Sequence, residues 1–391
     1  MNKTGRINIS KIVYIIFLLV YTGVLVYLFY NQLLYPETGL FESDTSAHVS
    51  FAVDDGYYHS LASFIYVFFN KIGLLNVLTA ITLSVMCSGA VVLTGHLIKD
   101  VFSLYGESIN EPLLYVISFL SNFVMGFYVG NINKRHYIGY ENANMWHNST
   151  YIFMRFFALL SLIFFIKLYN GYKEKISVKN LIVYTVLLTV TTGFKASFLT
   201  VFAPLLFLML LYDLIKGTKF IKVFVMALSV VPSLFVMLLQ SVVMGGGGEN
   251  GYIISPFTAL SMRGEHPKVT LVLSVLFPIC VLFTHLKDAH KDKAYFWSLI
   301  MWAIGFLEVF LFAESGEREL DGNFFWGYSI SLFFVFMMSM VRLYRDFKVN
   351  IQLKKKLCIV YNCFAAIILM WHAVSGVWYL GLLLTGVTYF V

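Results

Sequence analysis

The chain has 391 residues, 59% of them hydrophobic and 13% charged, with a formal net charge of +7. So few charges cannot cover a water-soluble globule, which excludes a soluble enzyme or a nucleic-acid-binding domain and leaves an integral membrane protein. At about 20 apolar residues for each crossing of a hydrocarbon core about 30 Å thick, this length supplies eleven or twelve spans, arranged as a single polytopic domain over residues 1–391.

Apolar runs interrupted by polar residues predict spans near 11–30, 72–98, 113–130, 150–168, 181–194, 197–212, 223–243, 269–285, 294–313, 328–341 and 357–374, and the tail 375–391 offers a twelfth. The fold class expected is therefore an all-α polytopic bundle of about 11–12 transmembrane helices. The first run follows Lys3 and Arg6 as a signal sequence would, but "YLFYNQ" has no small-residue cleavage site, so it reads as a retained span. Cys87, Cys280, Cys358 and Cys363 fall in apolar runs without metal-ligand spacing and read as packing residues. No internal repeat and no soluble domain is visible.

With the N-terminus on the cytoplasmic side, 20 of the 28 Lys and Arg residues fall at the inner ends of these spans. That bias fixes the expected orientation, and the basic charge then faces anionic lipid instead of nucleic acid. A multi-pass protein of the plasma (inner) membrane follows, with external loops near 31–71, 131–149, 244–268 and 314–327.

These loops hold most of the unusual chemistry. The first contains "LFESDTSAHVSFAVDDGYYH", residues 40–59, with four carboxylates and two histidines. Asp44 and His48 are spaced i, i+4, so a short helix puts them on one face, although Ser43 or Asp44 would also serve as its N-cap. Asp54 and Asp55 precede Gly56 and suit a turn as well as a binding role. His48, His59 and His147 suit either substrate contact or ordinary interfacial hydrogen bonding. The "GGGG" at 245–248 reads as a hinge in a long external loop that also carries Arg263 and Lys268.

A second signal is charge inside the spans. Counted at 1.5 Å per residue from the span ends, Arg155, Lys195 and Glu308 converge roughly 9 Å below the outer surface, with Gln240 and His372 in the same half. Such groups should face the bundle interior or an aqueous cavity, and a pocket open to the outside is the simplest arrangement. The alternative for Lys195 and Glu308 is a plain interhelical pair. His147, Tyr151 and Arg155, at i, i+4 and i+8, would line a path from the external loop into the membrane.

An acidic Glu-x-Asp pair in the first external loop, directly after the first of ten to thirteen spans, resembles the GT-C superfamily of glycosyltransferases. The "ESD" of Glu42 to Asp44 carries this resemblance. "SDTSAH" together with "NANMWHNSTYIFMRF" is similar to multispanning proteins of bacterial surface-polysaccharide loci. The resemblance implies inverting transfer of a sugar from a polyprenyl-phosphate-linked donor to a glycan or lipid-linked acceptor at the external face. Asp44, with Glu42 beside it, would be the base, and Arg155, Lys195, His147, His48, Tyr151, Arg263, Asp54 and Asp55 would be the substrate-binding set. No metal ligands are assigned, and a divalent cation is the one cofactor left open. Two departures from the family pattern stand out: there is no large soluble C-terminal domain, and the second acidic pair leaves the identity of the base open.

Two other readings accompany this one. A polysaccharide polymerase or ligase would rely on external arginines and less on an acidic first loop. A lipid-linked-sugar flippase would line its path with charge through the whole bilayer and would often show repeated halves, whereas the inner halves of these spans carry almost no charge.

Overall fold

The computed structural model describes residues 8–36, 41, 43–132, 144–245, 251–261, 266–316 and 322–386. Among them the chain forms helices α1 (Ile9–Leu34), α2 (Thr45–Val53), α3 (Leu61–Lys71), α4 (Leu75–Leu104), α5 (Glu111–Phe123), α6 (Ser149–Gly171), α7 (Val178–Phe194) and α8 (Ser197–Ile215). The second half adds α9 (Phe220–Leu228), α10 (Val231–Gly245), α11 (Thr258–Ser261), α12 (Pro267–Ser274), α13 (Leu276–Phe283), α14 (Lys293–Leu311), α15 (Phe324–Gln352) and α16 (Lys356–Leu384). The only sheet among the described residues is a two-stranded antiparallel hairpin of β1 (Gly251–Ile254) and β2 (Phe312–Ser315), with Gly251 opposite Ser315. The protein is an all-α, multi-pass membrane bundle.

Among the described residues eight helical segments are long and apolar enough to cross a membrane: α1, α4, α6, α8, α9 with α10, α14, α15 and α16. This is fewer than the eleven or twelve expected: the run at 181–194 forms α7, which is apolar but only 17 residues long, and two other runs do not form single helices. The run expected at 113–130 is helical only to Phe123. Beyond it, extended chain is hydrogen-bonded sideways, Met125 N–H to His372 O (3.1 Å) and Phe127 N–H to Leu273 O (3.1 Å). The run at 269–285 breaks at Val275 into α12 and α13. Non-helical backbone is tolerated at such depth only where protein satisfies its polar groups. His372 does part of this, accepting from Phe277 N–H at 3.4 Å while its Nδ1 donates to Met125 O. Gly376 lets the extended chain approach, because a Cβ there would lie 1.4 Å from Phe123 O. Within the described residues the tail forms no separate twelfth span: α16 continues without a break to Leu384.

α15 is the central helix. Every residue from 325 to 341 is buried, as an all-round apolar helix requires, and α15 packs against α5, α8, α13, α14 and α16. α1 lies at the edge, packed on α4 and presenting Ile12, Ile16, Phe17 and Val20 outward. Two ends of the bundle can be told apart from pairs between distant segments. One gathers Asn8 with Glu111 (2.6 Å), Arg345 with Glu107 (2.9 Å) and His285 with Asp346 (2.9 Å). It also holds most of the Lys and Arg residues, and we call it the basic face. The other, the loop face, holds α2, α3, the start of α6 and the α7–α8 turn.

Candidate functional site

The loop face is built on the start of α6. Trp146, in a single 3₁₀ turn (Asn144–His147), is fully buried and anchors it. Its indole N–H donates to Tyr21 Oη of α1 (3.0 Å), and its carbonyl accepts from Gln32 Nε2 (3.0 Å). Asn148 then caps α6, its Oδ1 accepting from Tyr151 N–H (2.9 Å) and Thr150 Oγ1 (2.8 Å). With the oxygen committed, the amide nitrogen is left to donate, and it does so twice: to Asp44 Oδ2 at 2.9 Å and to His48 Nε2 at 3.1 Å.

Asp44 is held from both sides. His147 Nε2 meets Oδ1 at 3.0 Å, and the Asp44 backbone N–H donates to His147 O at 2.9 Å. Asp44 occupies the N-cap position of α2 without a side-chain capping bond. Ser43 takes that work instead, accepting from Thr45 N–H at 3.0 Å and donating to His147 O at 2.8 Å. The Asp44 side chain is 42% exposed against 4% for His147, so the carboxylate stays reachable from the loop face while its partner does not. Desolvation works against the Asp44 anion. The His147 imidazole and the Asn148 amide, with His48 beside them, outweigh it and hold the carboxyl well below the usual carboxylate range.

His48 behaves in the opposite sense. Burial, then the positive charge of Lys195, push its pKa down from 6.5 to about 3, with His59 and His147 adding to the effect and Asp44 opposing it. Because Asn148 donates to Nε2, the neutral ring carries its hydrogen on Nδ1, and that N–H is buried without a hydrogen-bond partner. The His48 ring lies 5.2 Å from that of His59, which stacks on Tyr57 at 5.3 Å.

Below this layer the α7–α8 hairpin turns inside the bundle. Ser60 Oγ donates to Phe194 O (2.7 Å), and Gln240 Nε2 donates to Gly193 O (2.9 Å), so α3 and α10 seat the hairpin tip. Lys195 ends α7. Its Nζ reaches Thr150 Oγ1 at 3.4 Å and stands 4.9 Å from the Trp326 ring. α8 starts directly after it with no side-chain cap, so helix-start amides and an ammonium share one place, an arrangement suited to an anion.

The structure thus brings together Asp44, His48, His147 and Lys195. Tyr151 joins them from beneath, its hydroxyl 3.2 Å from Ser329 Oγ and its ring 5.0 Å from Trp326. Arg155 differs from expectation. It is fully buried, donates through Nη2 to Asn122 Oδ1 (3.0 Å) and Ser121 O (3.4 Å), and lies 3.9 Å from the Phe333 ring. It is thus packed into the bundle where an open pocket was expected, and its place is where α5 ends. Among the described ion pairs none joins Lys195 to Glu308. Glu308 fits a notch left by Gly327, where a Cβ would lie 2.5 Å from its Oε2. Asp54 and Asp55 stand exposed where α2 ends, followed by Gly56 at φ +66, and Lys268 lies 5.8 Å from the Phe257 ring. Glu42 and Arg263 lie outside the described residues. Among the described residues no group of three or more His, Cys, Asp or Glu is arranged to hold a metal ion.

Asn148 is the member of the cluster that the sequence reading missed. Its signal was present: an Asx residue directly before a long apolar run is a helix N-cap. Fold and site together define a multi-pass helical membrane protein with an ordered carboxylate–histidine–lysine cluster at one face. Comparison with protein-family models finds no match to this chain, and comparison with curated proteins finds none.

Proposed function

We propose that the chain is a membrane glycosyltransferase, moving a sugar from a polyprenyl-phosphate-linked donor to a hydroxyl of a glycan or lipid-linked acceptor at the loop face. The observation that carries this reading is the Asp44 carboxylate, accessible yet fixed on both oxygens by His147 and Asn148. Such a group is fixed in one rotamer and already ionised before substrate arrives, so it is positioned to receive the acceptor hydroxyl. In the reaction the acceptor oxygen bonds to the anomeric carbon as the bond from that carbon to the phosphate oxygen breaks. The hydroxyl proton passes to Asp44, and polyprenyl phosphate leaves with inverted configuration at the sugar. Lys195 and the start of α8 hold the phosphate charge as it develops, the place first expected for Arg155. The basic face is cytoplasmic and the loop face external, since cations favour the cytoplasmic side.

The test is turnover in nanodiscs with a panel of polyprenyl-phosphate hexoses, following polyprenyl phosphate release and the anomeric configuration of the product. The wild type should release polyprenyl phosphate with an inverted product, and Asp44→Asn should be slower by about 100-fold or more, the usual contribution of a general base. No release from any donor in the panel, or equal rates in the two proteins, would overturn the reading.

A further inference from the structure

A cavity lies far from the loop-face site. It encloses about 480 Å³ in the half of the bundle nearer the basic face, between α14 on one side and α4 and α6 on the other. That size falls among ordinary ligand pockets. Its interior is formed by buried apolar side chains such as Leu97, Phe165, Phe202, Met301 and Met337. The two tyrosines in the wall are committed elsewhere, Tyr105 to Asp292 and Tyr169 to Asp213 Oδ2. The mouth is different in kind, with Asn170, Lys291 and Lys293 all exposed. Lys291 is shared with Asp288 at 2.6 Å, while no described ion pair involves Lys293.

We propose that this cavity binds one acyl chain of an anionic lipid, with the phosphate headgroup at Lys293 and Lys291. An apolar interior without an available polar partner accepts only hydrocarbon, and exposed lysines at the mouth complement a negative headgroup. Methionines in the wall, Met209, Met301, Met337 and Met338, let the lining adapt to a flexible chain. The site is independent of the reaction proposed above, since it lies at the other face and shares no residue with the Asp44 cluster.

Trp297 lines the cavity and gives the readout. The full chain is placed in phosphatidylcholine nanodiscs containing a small fraction of either phosphatidylglycerol or phosphatidylcholine brominated at the same acyl position, and tryptophan fluorescence is followed. Brominated phosphatidylglycerol should quench at lower mole fraction than brominated phosphatidylcholine, and Trp297→Phe should remove that difference. Lys293→Gln, a surface change that leaves the fold intact, should weaken the preference about fivefold, the effect of one cation near a membrane surface. Equal quenching by the two lipids in the wild type, or a preference that survives Trp297→Phe, would overturn the proposal. So would loss of the preferential quenching in millimolar inorganic phosphate, which would make the lysines a site for free phosphate and not for lipid.

Discussion

Asp44 at the loop face and Asp292 at the basic face both sit at the start of a helix, α2 and α14 respectively, and both gather partners from distant parts of the chain. Asp292 is saturated. Its Oδ1 caps α14 through Tyr295 N–H (3.2 Å) and accepts from Tyr105, its Oδ2 accepts from Arg345 (2.8 Å) and Arg342 (3.3 Å), and 4% of its side chain is exposed. Asp44 caps nothing, leaves the capping to Ser43, and keeps 42% of its side chain exposed. A carboxylate whose every lone pair is taken by cations and helix-start amides is a latch. One that is oriented yet open can still take a ligand or a proton.

The largest effect should come from breaking the latch. Asp292→Ala removes the N-cap of α14 and the buried anion shared by Arg342 and Arg345, which keep Asp346 and Glu107 as partners. Losing the cap and these charge-assisted bonds costs about 2–4 kcal/mol and should appear as a clear fall in the midpoint of thermal unfolding in detergent. A midpoint within a degree of wild type would mean that the network adds nothing to stability. Lys195→Gln should act on binding instead. Losing a charge-assisted contact worth about 2 kcal/mol weakens polyprenyl-phosphate donor affinity by roughly 30-fold, with little change in unfolding. Unchanged affinity would remove Lys195 from the phosphate site.

The contrast also predicts a pH dependence. His48 titrates at about 3 in the folded chain against 6.5 ordinarily, so between those values the unfolded chain binds a proton that the folded chain does not. Stability therefore falls as pH drops from about 6.5 towards about 3, and His48 adds no slope above that window. Asp44, with its folded pKa depressed, contributes stability that is present above the ordinary carboxylate range and lost only as pH falls below it. His48→Gln should flatten the upper part of the profile, and an unaltered slope between pH 6.5 and 4.5 would contradict the burial of His48. The smallest effect is expected for Asp55→Asn in the exposed turn, within about 0.5 kcal/mol in stability and less than about 10-fold in turnover. A larger loss of turnover would move the base to the second acidic pair.

Much of this arrangement was legible in the sequence, and what was not has a common cause. Hydropathy located α1, α4, α6, α8 and α14 because a long apolar run has few other uses. The i, i+4 spacing of Asp44 and His48 put them on one face of a short helix, and the structure has His48 in α2 with Asp44 at its N-cap position. Hydropathy reports only that a segment is buried in lipid or protein, so it could not separate the extended chain after Phe123, or the break at Val275, from continuous spans. Those depend on hydrogen bonds to His372, far away in sequence. The pairing of Asp44 with His147 and Asn148 spans more than 100 residues and leaves no periodic trace. The depth count placed Arg155 and Lys195 together, but could not tell that one is enclosed by Asn122 and Phe333 while the other ends a helix at the hairpin tip.

The central claim is that Asp44 serves chemistry and Asp292 serves the fold, and one paired measurement tests it most directly: thermal unfolding and turnover of Asp44→Asn, each referred to folded protein. The amide keeps the shape of the carboxylate but cannot take a proton. The account predicts an unfolding midpoint close to wild type and a turnover lower by about 100-fold or more. Wild-type turnover in Asp44→Asn, or a loss of activity that merely follows a loss of folded protein, would contradict it.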